Sequence, residues 1–252
     1  MIREKGFDYL FGVHSVMEKL KGAPFEVVEV LIAKGRRQGP LGSIEEEAKR
    51  RGVPVFSVDG LELNRLVGGE KHQGVVAKVF SFAYSDFASL LGGLPPGEDK
   101  YHWIMALDGV TDPRNFGSLL RTAEGVGVRD VIIPKDRSVG VTPIVVKASA
   151  GAVWYVKTYR VTSLRRAILD LKEKGYWVVG LDVQAKDSVF TRVYPERLVV
   201  LLGSEGSGIR PLLRGECDFL VSIPMLGRVG SLNVAVSAGM FWYELMSQRR
   251  GA

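Results

Sequence analysis

Three short loops in this sequence combine glycine with polar side chains directly after an apolar run, which is where α/β proteins usually place their chemistry. The first loop, 203–208, follows the apolar run 198–202. Its glycines do not match the dinucleotide-binding pattern, and no Gly-Lys-Ser/Thr is present to form a phosphate-binding loop. Glu205 also disfavours phosphate, because its carboxylate would repel the ligand. The loop suits a ligand with hydroxyl groups or a positive charge; alternatively, its glycines are structural and Glu205 is simply exposed.

The second loop connects the apolar run 219–223 to a helical pattern that opens on Ser231, Leu232 and Asn233. It presents backbone groups and apolar side chains around a helix start, which suits a ligand that is part apolar and part polar. The alternative is a buried crossover connection whose glycines only turn the chain.

The third loop, 108–115, is rich in aspartate and follows the predicted strand 103–107. It leads into a helical pattern in which Arg121 and Glu124 lie three residues apart and therefore share a face. The two side chains form either an exposed ion pair, which contributes a few tenths of a kcal/mol at most, or part of a site at the end of a buried strand.

An alternation of strands and helices must position these loops. The second half of the chain has helical patterns between its apolar runs, including one that starts at Thr142-Pro143 and one capped by Ser163. The predicted strands are 103–107, 130–134, 153–161, 176–183, 198–202 and 219–223. This pattern predicts an α/β domain with a parallel sheet over residues 101–252.

The first half of the chain has its own α/β alternation, which predicts a compact domain over residues 1–82. Strands are expected at 26–33, 53–58 and 73–82, with helices at 12–21, before Gly52, and from an Asp59 cap to Val67. Basic clusters at 34–37 and 49–51 are either solvated faces or RNA contacts. Residues 83–100 contain Pro95-Pro96 and loosen the pattern, so we expect a linker there.

Composition narrows the functional classes. A hydrophobic content of 46% with 25% charged residues is typical of a folded protein, and a net charge of +6 favours a polyanionic partner. The single cysteine, Cys217, excludes an intramolecular disulfide, and the three histidines form no metal-ligand pattern, so we expect no metal. No apolar run reaches membrane-spanning length and the N-terminus lacks a signal-peptide pattern, so we expect a cytoplasmic protein.

Three segments, 115–124, 202–208 and 223–237, resemble in this order the three motifs of the SpoU/TrmH RNA ribose 2′-O-methyltransferases of the SPOUT class. Residues 12–16 and 71–77 further resemble the substrate-binding domain of the subgroup that methylates a guanosine ribose in 23S rRNA. The resemblance therefore covers nearly the whole chain.

The resemblance implies an α/β fold with two parts. The C-terminal SPOUT domain would contain a parallel sheet and a deep trefoil knot, and the small N-terminal L30e-like domain would bind substrate RNA. The resemblance also implies S-adenosylmethionine as the cofactor, held by three loops at the knot. The implied cofactor-binding residues are Gly203, Glu205, Gly208, Ile223, Met225 and Leu232, with Leu181 and Asp182 on the adenine side.

The implied reaction is methyl transfer from this cofactor to a ribose 2′-hydroxyl, with Arg121 at its centre, in some relatives as a general base. Because arginine is essentially always protonated in proteins, we expect Arg121 instead to hold the target phosphate and stabilise negative charge on the 2′-oxygen. The groups expected to orient the reactants are Asn115, Glu124, Ser231 and Asn233.

Members of this family are homodimers with the pocket at the interface, so the resemblance implies a homodimer here. Four large side chains near the C-terminus share a helical face and form either that interface, which we favour, or core: Phe241, Trp242, Leu245 and Met246.

Two departures from the family pattern affect the dimer or the RNA groove but not the three motifs. Trp154 stands where relatives usually carry an acidic residue, and Ser163 stands where an asparagine commonly precedes the leucine.

Three other functions remain as alternatives to a 23S rRNA guanosine methyltransferase. They are a non-catalytic RNA-binding or ribosome-assembly factor, a tRNA ribose methyltransferase, and an rRNA adenosine 2′-O-methyltransferase.

Overall fold

The computed structural model describes residues 6–35, 39–93 and 101–250. It divides into two compact units, one formed by Met1–Ala83 with Val141–Trp154 and the other by Tyr84–Gly140 with Tyr155–Ala252. The first unit therefore consists of two separate segments of the chain. Residues 36–38 and 94–100 lie outside the described residues, and with them part of the basic cluster at 34–37 and part of the expected linker.

The elements of the first half are, in chain order, β1 (Phe7–Phe11), α1 (Val13–Gly22), β2 (Val27–Ala33), α2 (Pro40–Arg50), β3 (Val55–Val58), α3 (Gly60–Val67), β4 (Val75–Phe80) and α4 (Phe87–Gly92). The elements of the second half are β5 (His102–Asp108), α5 (Pro113–Gly125), β6 (Asp130–Pro134), α6 (Pro143–Ala148), β7 (Lys157–Val161), α7 (Leu164–Glu173), β8 (Trp177–Leu181), β9 (Asp187–Ser188), β10 (Arg197–Gly203), α8 (Pro211–Arg214), β11 (Phe219–Ser222) and α9 (Val234–Arg250).

The sheet of the first unit has four strands in the order β1-β4-β2-β3. The pairs β1/β4 and β4/β2 are antiparallel, whereas β2/β3 is parallel. One of its apolar clusters contains Tyr9, Phe11, Leu31, Ala33, Leu63, Val67 and Val76.

The second unit contains a seven-stranded sheet in the order β7-β6-β5-β10-β8-β11-β9, and all of its strand pairs are parallel. The side chains of β10 from Leu198 to Leu202 are at most 1% exposed. This burial explains the continuous apolar run, because a central parallel strand is covered on both faces. The predicted α/β class with a parallel sheet is therefore confirmed.

Several predicted helix starts are also confirmed by their caps. Asp59 accepts a hydrogen bond from the backbone N of Leu61 (2.8 Å), and Ser163 accepts one from the backbone N of Arg166 (3.2 Å). These side chains satisfy backbone N–H groups that have no partner within the helix. Ser163 thus performs its capping role although it departs from the family pattern.

The predicted strand 153–161 was wrong at its start, since β7 begins at Lys157 and Ala152–Trp154 forms a 3-10 turn. The turn follows Gly151, whose φ of +90° favours glycine. It places the Trp154 ring 3.4 Å from the ammonium of Lys19, which also pairs with Glu26. Trp154 therefore contacts a buried cation through its ring, at a position where relatives usually carry an acid.

Three elements were not predicted at all, and one of them is the two-residue strand β9. The strand β1 lies at the start of the chain, and the helix α4 lies inside the expected linker 83–100. Asp86 caps α4 through the backbone N of Ala88 (3.3 Å), and Leu90 is buried.

The C-terminal helix α9 uses its largest side chains for the core. Phe241 and Trp242 are 0% exposed, and the Trp242 ring stacks on Trp103 with 6.1 Å between centroids. Leu245 is buried as well. The interface role that we favoured for these side chains was therefore wrong for Phe241, Trp242 and Leu245.

Candidate cofactor and catalytic site

The loops that carry the three motifs leave the same edge of the seven-stranded sheet. In the strand register Gly203 at the end of β10 pairs with Asp108 at the end of β5, and Leu202 pairs with Leu181 at the end of β8. Val221 of β11 also pairs with Leu181. Ligands of open parallel sheets bind beyond these carboxyl ends.

A cavity of about 520 Å³ lies at this edge. This volume lies within the usual range for small-molecule sites. The lining includes all eight residues that we predicted to bind the cofactor, which are Leu181, Asp182, Gly203, Glu205, Gly208, Ile223, Met225 and Leu232. Of the predicted catalytic residues, Ser231 and Asn233 line it, whereas Asn115, Arg121 and Glu124 do not.

The loop after β10 is closed on itself by two backbone hydrogen bonds. Ser204 N donates to Gly208 O (3.1 Å), and Gly208 N donates to Ser204 O (3.0 Å). This closure brings the backbone of Gly208 and Ile209 against Gly203, where a Cβ would lie only 2.1 Å from the Gly208 carbonyl carbon and 2.3 Å from Ile209 N. The loop can therefore form this wall of the cavity only with glycine at position 203.

Asn233 connects the three motifs. Its Nδ2 donates one hydrogen bond to Asn115 Oδ1 (2.9 Å) and one to Glu205 Oε1 (2.7 Å). Its Oδ1 accepts hydrogen bonds from the backbone N of Ala235 (2.9 Å) and Val236 (3.4 Å), at the start of α9. One amide group thus caps a helix and holds two loops beside the cavity.

We expect Asn233→Ala to lower the free energy of unfolding by about 1 kcal/mol or more, because the cap is lost. Methyl transfer should fall as well, since the loops carrying Asn115 and Glu205 lose their shared donor. Asn233→Ser is the matched control, because it keeps a capping oxygen and removes both amide N–H donors without adding a charge beside Glu205. Chemical denaturation and turnover, measured in parallel, should show both variants impaired in turnover but only the alanine variant destabilised. Wild-type turnover in Asn233→Ser would contradict the bridging role.

Arg121 and Glu124 are both exposed on α5. Within the described part of the chain, neither side chain makes a hydrogen bond or ion pair, so they do not form the surface ion pair that their spacing allowed. The opposite face of α5, with Phe116, Leu119 and Leu120, is buried. Arg121 is therefore available to a group outside this chain.

Sequence reasoning missed an ion pair behind the site, in which the aspartate is buried and the arginine is about half exposed (45%). Asp108, at the end of β5, is 1% exposed and accepts hydrogen bonds from the backbone N (2.9 Å) and the Nε (2.7 Å) of Arg210. The pair fixes the end of the glycine loop to β5. In the sequence, the only feature that could have indicated this ion pair is the position of Asp108, an aspartate at the end of an apolar strand.

The charged side chains of the cavity wall are Asp182, Glu205 and Arg214. The Nε of Arg214 lies 2.9 Å from Asp182 Oδ2, and Asp182 Oδ1 accepts a hydrogen bond from the backbone N of Gln184 (2.8 Å). Apolar wall residues, such as Leu181 and Ile223, complete the lining. The cavity thus combines apolar surface with two carboxylates, which suits a ligand with hydroxyl groups and a positive charge.

Other classes of site find little support in the described residues. No group of His, Cys, Asp and Glu side chains among them could hold a metal ion. Burial raises the pKa of the Cys217 thiol to about 12, so this thiol is protonated near neutral pH and poorly suited to act as a nucleophile. None of the helices in residues 6–35, 39–93 and 101–250 has the length and apolarity needed to cross a membrane.

Comparison with known proteins gives two family matches. The model of the SpoU rRNA Methylase family matches residues 102–243, and the model for RNA 2′-O ribose methyltransferase substrate binding matches residues 9–85. Together they cover most of the chain.

Individual relatives match over almost their whole length. A 23S rRNA (guanosine-2′-O-)-methyltransferase RlmB from Coxiella burnetii is 42% identical, with 95% of each chain covered. The putative TrmH family tRNA/rRNA methyltransferase YacO from Bacillus subtilis is 37% identical, with 96% of each covered. Among solved structures, the fold is shared by the SpoU methyltransferase AviRb from Streptomyces viridochromogenes in complex with AdoMet. The TM-score is 0.78 at 23% sequence identity, and the match covers 98% of this chain and 92% of the AviRb chain.

Proposed function

Because this chain belongs to the SpoU rRNA Methylase family, we propose that it transfers a methyl group from S-adenosylmethionine to the ribose 2′-hydroxyl of a guanosine in 23S rRNA. The observation that carries the proposal is the cavity at the carboxyl edge of the sheet, because its walls are the loops of the second and third motifs. The family match and the RlmB relatives support the substrate.

The cavity residues fit this cofactor chemically. S-adenosylmethionine carries a sulfonium cation, an ammonium group, ribose hydroxyls and an apolar adenine face. The carboxylates of Glu205 and Asp182 suit the cations and hydroxyls, and Leu181, Ile223 and Leu232 suit the adenine. When bound, the cofactor supplies an activated methyl group on a good leaving group.

The protein must align the 2′-hydroxyl with the methyl group and stabilise the oxygen as it loses its proton. We assign Arg121 to the target phosphate and to the developing negative charge, since its guanidinium is exposed and donates five N–H groups. Asn115, Glu124, Ser231 and Asn233 orient the reactants. Asn233 acts partly through Asn115, to which it is hydrogen-bonded.

The decisive experiment measures transfer of labelled methyl groups from the cofactor to deproteinised 23S rRNA and to tRNA, followed by mapping of the modified nucleotide. We expect label in a single guanosine ribose of 23S rRNA. Label only in tRNA, or in an adenosine, would replace the substrate assignment. No label in either RNA, together with no cofactor binding by calorimetry, would favour a non-catalytic RNA-binding or assembly factor.

The proposal has three further parts. The first is that the C-terminal domain contains a trefoil knot. In support, β8 lies between β10 and β11 in the sheet, so the chain crosses β8 between these two strands.

The second is that the protein is cytoplasmic, because its substrate is ribosomal RNA. It is also a homodimer, and the side chains on α9 that suit the interface are Val236, Met240 and Tyr243, which are 51%, 44% and 65% exposed.

The dimer proposal predicts that Met240→Asp produces a monomer. Val236, Met240 and Tyr243 follow the i, i+4, i+7 spacing of one helical face, so aspartate there would place an unpaired charge in the interface. We expect the dimer dissociation constant to rise at least about a hundredfold in sedimentation experiments. Leu212→Asp is the control, since Leu212 is 64% exposed on the separate helix α8 of the same unit. A fully active wild-type monomer at micromolar concentration would exclude the dimer.

A further inference from the structure

The loop between β6 and α6 lies beside the cofactor cavity. We refer to residues 135–138 as the β6 loop. Directly after it, Val139 N donates to Val110 O (3.0 Å) in the loop that leads into α5. A Cβ on Gly109 would lie 4.0 Å from the carbonyl oxygen of Arg137 and 3.5 Å from Cβ of Ser204, which lines the cavity. The β6 loop, the α5 loop and the glycine loop are therefore neighbours.

The β6 loop holds Arg137 in an unusual conformation. Its φ of 57° is in the left-handed region, which is disfavoured for side chains other than glycine, asparagine and aspartate. The start of the loop is fixed, because Lys135 N donates to Val161 O (2.8 Å) and Arg160 Nη2 donates to Lys135 O (2.9 Å). The Arg137 side chain is exposed. A fixed loop thus presents an arginine to solvent at this edge, at a local conformational cost.

The acids of the neighbouring loops accept hydrogen bonds from other groups and form no ion pair with Arg137. Asp108 pairs with Arg210, the carboxylate of Asp112 caps α5 through two backbone N–H groups, and Glu205 accepts from Asn233.

Among the described residues, by contrast, four cations near the carboxyl edge of the sheet make no side-chain hydrogen bond or ion pair. The β6 loop itself contains one acid, Asp136. These cations are Arg114, Arg121, Lys135 and Arg137. Since none of these four cations forms an ion pair within the described chain, their charges are available to a polyanion.

We propose that Arg137 binds a backbone phosphate of the substrate RNA close to the methylated ribose. The inference rests on the proposed function and adds to it a contact outside the three motifs. Arginine suits this role because its planar guanidinium donates two parallel hydrogen bonds to phosphate. Arg137 is a positioning residue: it holds RNA and does not touch the cofactor.

The test compares Arg137→Gly, Arg137→Lys and Lys174→Ala in the full chain. Glycine tolerates the left-handed backbone and removes only the side chain, whereas lysine keeps the charge. Lys174, at the end of α7, is an exposed cation at the opposite edge of the sheet and serves as the control. Binding to a 23S rRNA fragment is titrated at several salt concentrations, and cofactor affinity, KM for RNA and kcat are measured for each variant.

We expect Arg137→Gly to raise the dissociation constant for RNA and the KM for RNA about tenfold. Because one phosphate contact is lost, the slope of log affinity against log salt concentration should fall in magnitude by about one. Its cofactor affinity and its kcat at saturating RNA should match those of the wild type, and its melting temperature should not fall, because glycine relieves the strain of the left-handed backbone. Arg137→Lys should restore most of the affinity and the full salt slope, and Lys174→Ala should behave as wild type.

An unchanged RNA affinity and salt slope in Arg137→Gly would overturn the inference, provided that the wild type methylates the fragment. An equal loss in Lys174→Ala would also overturn it, because the effect would then be one of net charge. A wild type that transfers no methyl group to any RNA would instead refute the proposed function. The two failures are therefore distinguishable.

Discussion

Replacing Arg121 with lysine should reduce the rate of methyl transfer about a hundredfold or more, with almost no change in cofactor affinity. Lysine keeps the positive charge but loses the planar fork of N–H donors that positions a phosphate and an oxyanion together. Removing one donor of this kind from an active site typically costs this much in kcat. Cofactor affinity should persist because Arg121 does not line the cavity and its side chain is exposed on α5.

The measurement is a single-turnover assay on rRNA at saturating cofactor, combined with calorimetry of cofactor binding. Arg129→Lys is the matched control, because Arg129 is an exposed arginine just beyond the C-terminal end of the same helix. Near-wild-type turnover in Arg121→Lys would exclude bidentate positioning by Arg121. A parallel loss of cofactor affinity would show that the substitution acts on the fold instead.

The cavity was predictable because each of its walls is local in sequence. An apolar strand, a glycine-rich loop and a helix start follow one another within about twenty residues, so residue type alone indicates what the loop presents. Gly203, Ile223 and Leu232 were assigned through the family resemblance, and all three line one cavity. The resemblance itself is confirmed by the family match over residues 102–243.

The contacts between the walls were not predictable, since they join distant parts of the chain. Asn233 reaches Asn115, 118 residues away, and Arg210 reaches Asp108, 102 residues away. Such pairs depend on how the loops meet at the sheet edge, and nothing in the local pattern of either partner identifies the other.

The faces of α9 were misjudged for a different reason. This helix is apolar on more than one side: Phe241 and Trp242 face the core, while Met240 and Tyr243 are exposed. Periodicity locates a core face only when the opposite face is polar. The insertion of Val141–Trp154 into the first unit escaped prediction similarly, because the start of α6 at Thr142-Pro143 indicates a helix but not its packing partner.

Gly203→Ala should lower the affinity for the cofactor at least about a hundredfold relative to the wild type. The new methyl group would lie within 2.4 Å of three backbone atoms of Gly208 and Ile209, which no side-chain rotation can relieve. Either the Ser204–Gly208 hydrogen bonds open or β10 shifts against β5. Overpacking of this kind typically costs about 1–3 kcal/mol of stability, and in either case one wall of the cavity is displaced.

Gly206→Ala, in the same loop, separates this steric effect from backbone strain. Gly206 has a φ of +94° and an added Cβ would meet nothing within 4 Å, whereas Gly203 is not among the positive-φ residues. Gly206→Ala should therefore cost about 1–2 kcal/mol of stability through strain alone and retain most of the cofactor affinity. Calorimetric titration and thermal unfolding of both variants test this contrast. If Gly206→Ala lost as much cofactor affinity as Gly203→Ala, the conformation of the loop rather than the close approach at Gly203 would determine cofactor binding. If Gly203→Ala bound the cofactor normally, the closed loop would not be a wall of the cofactor site.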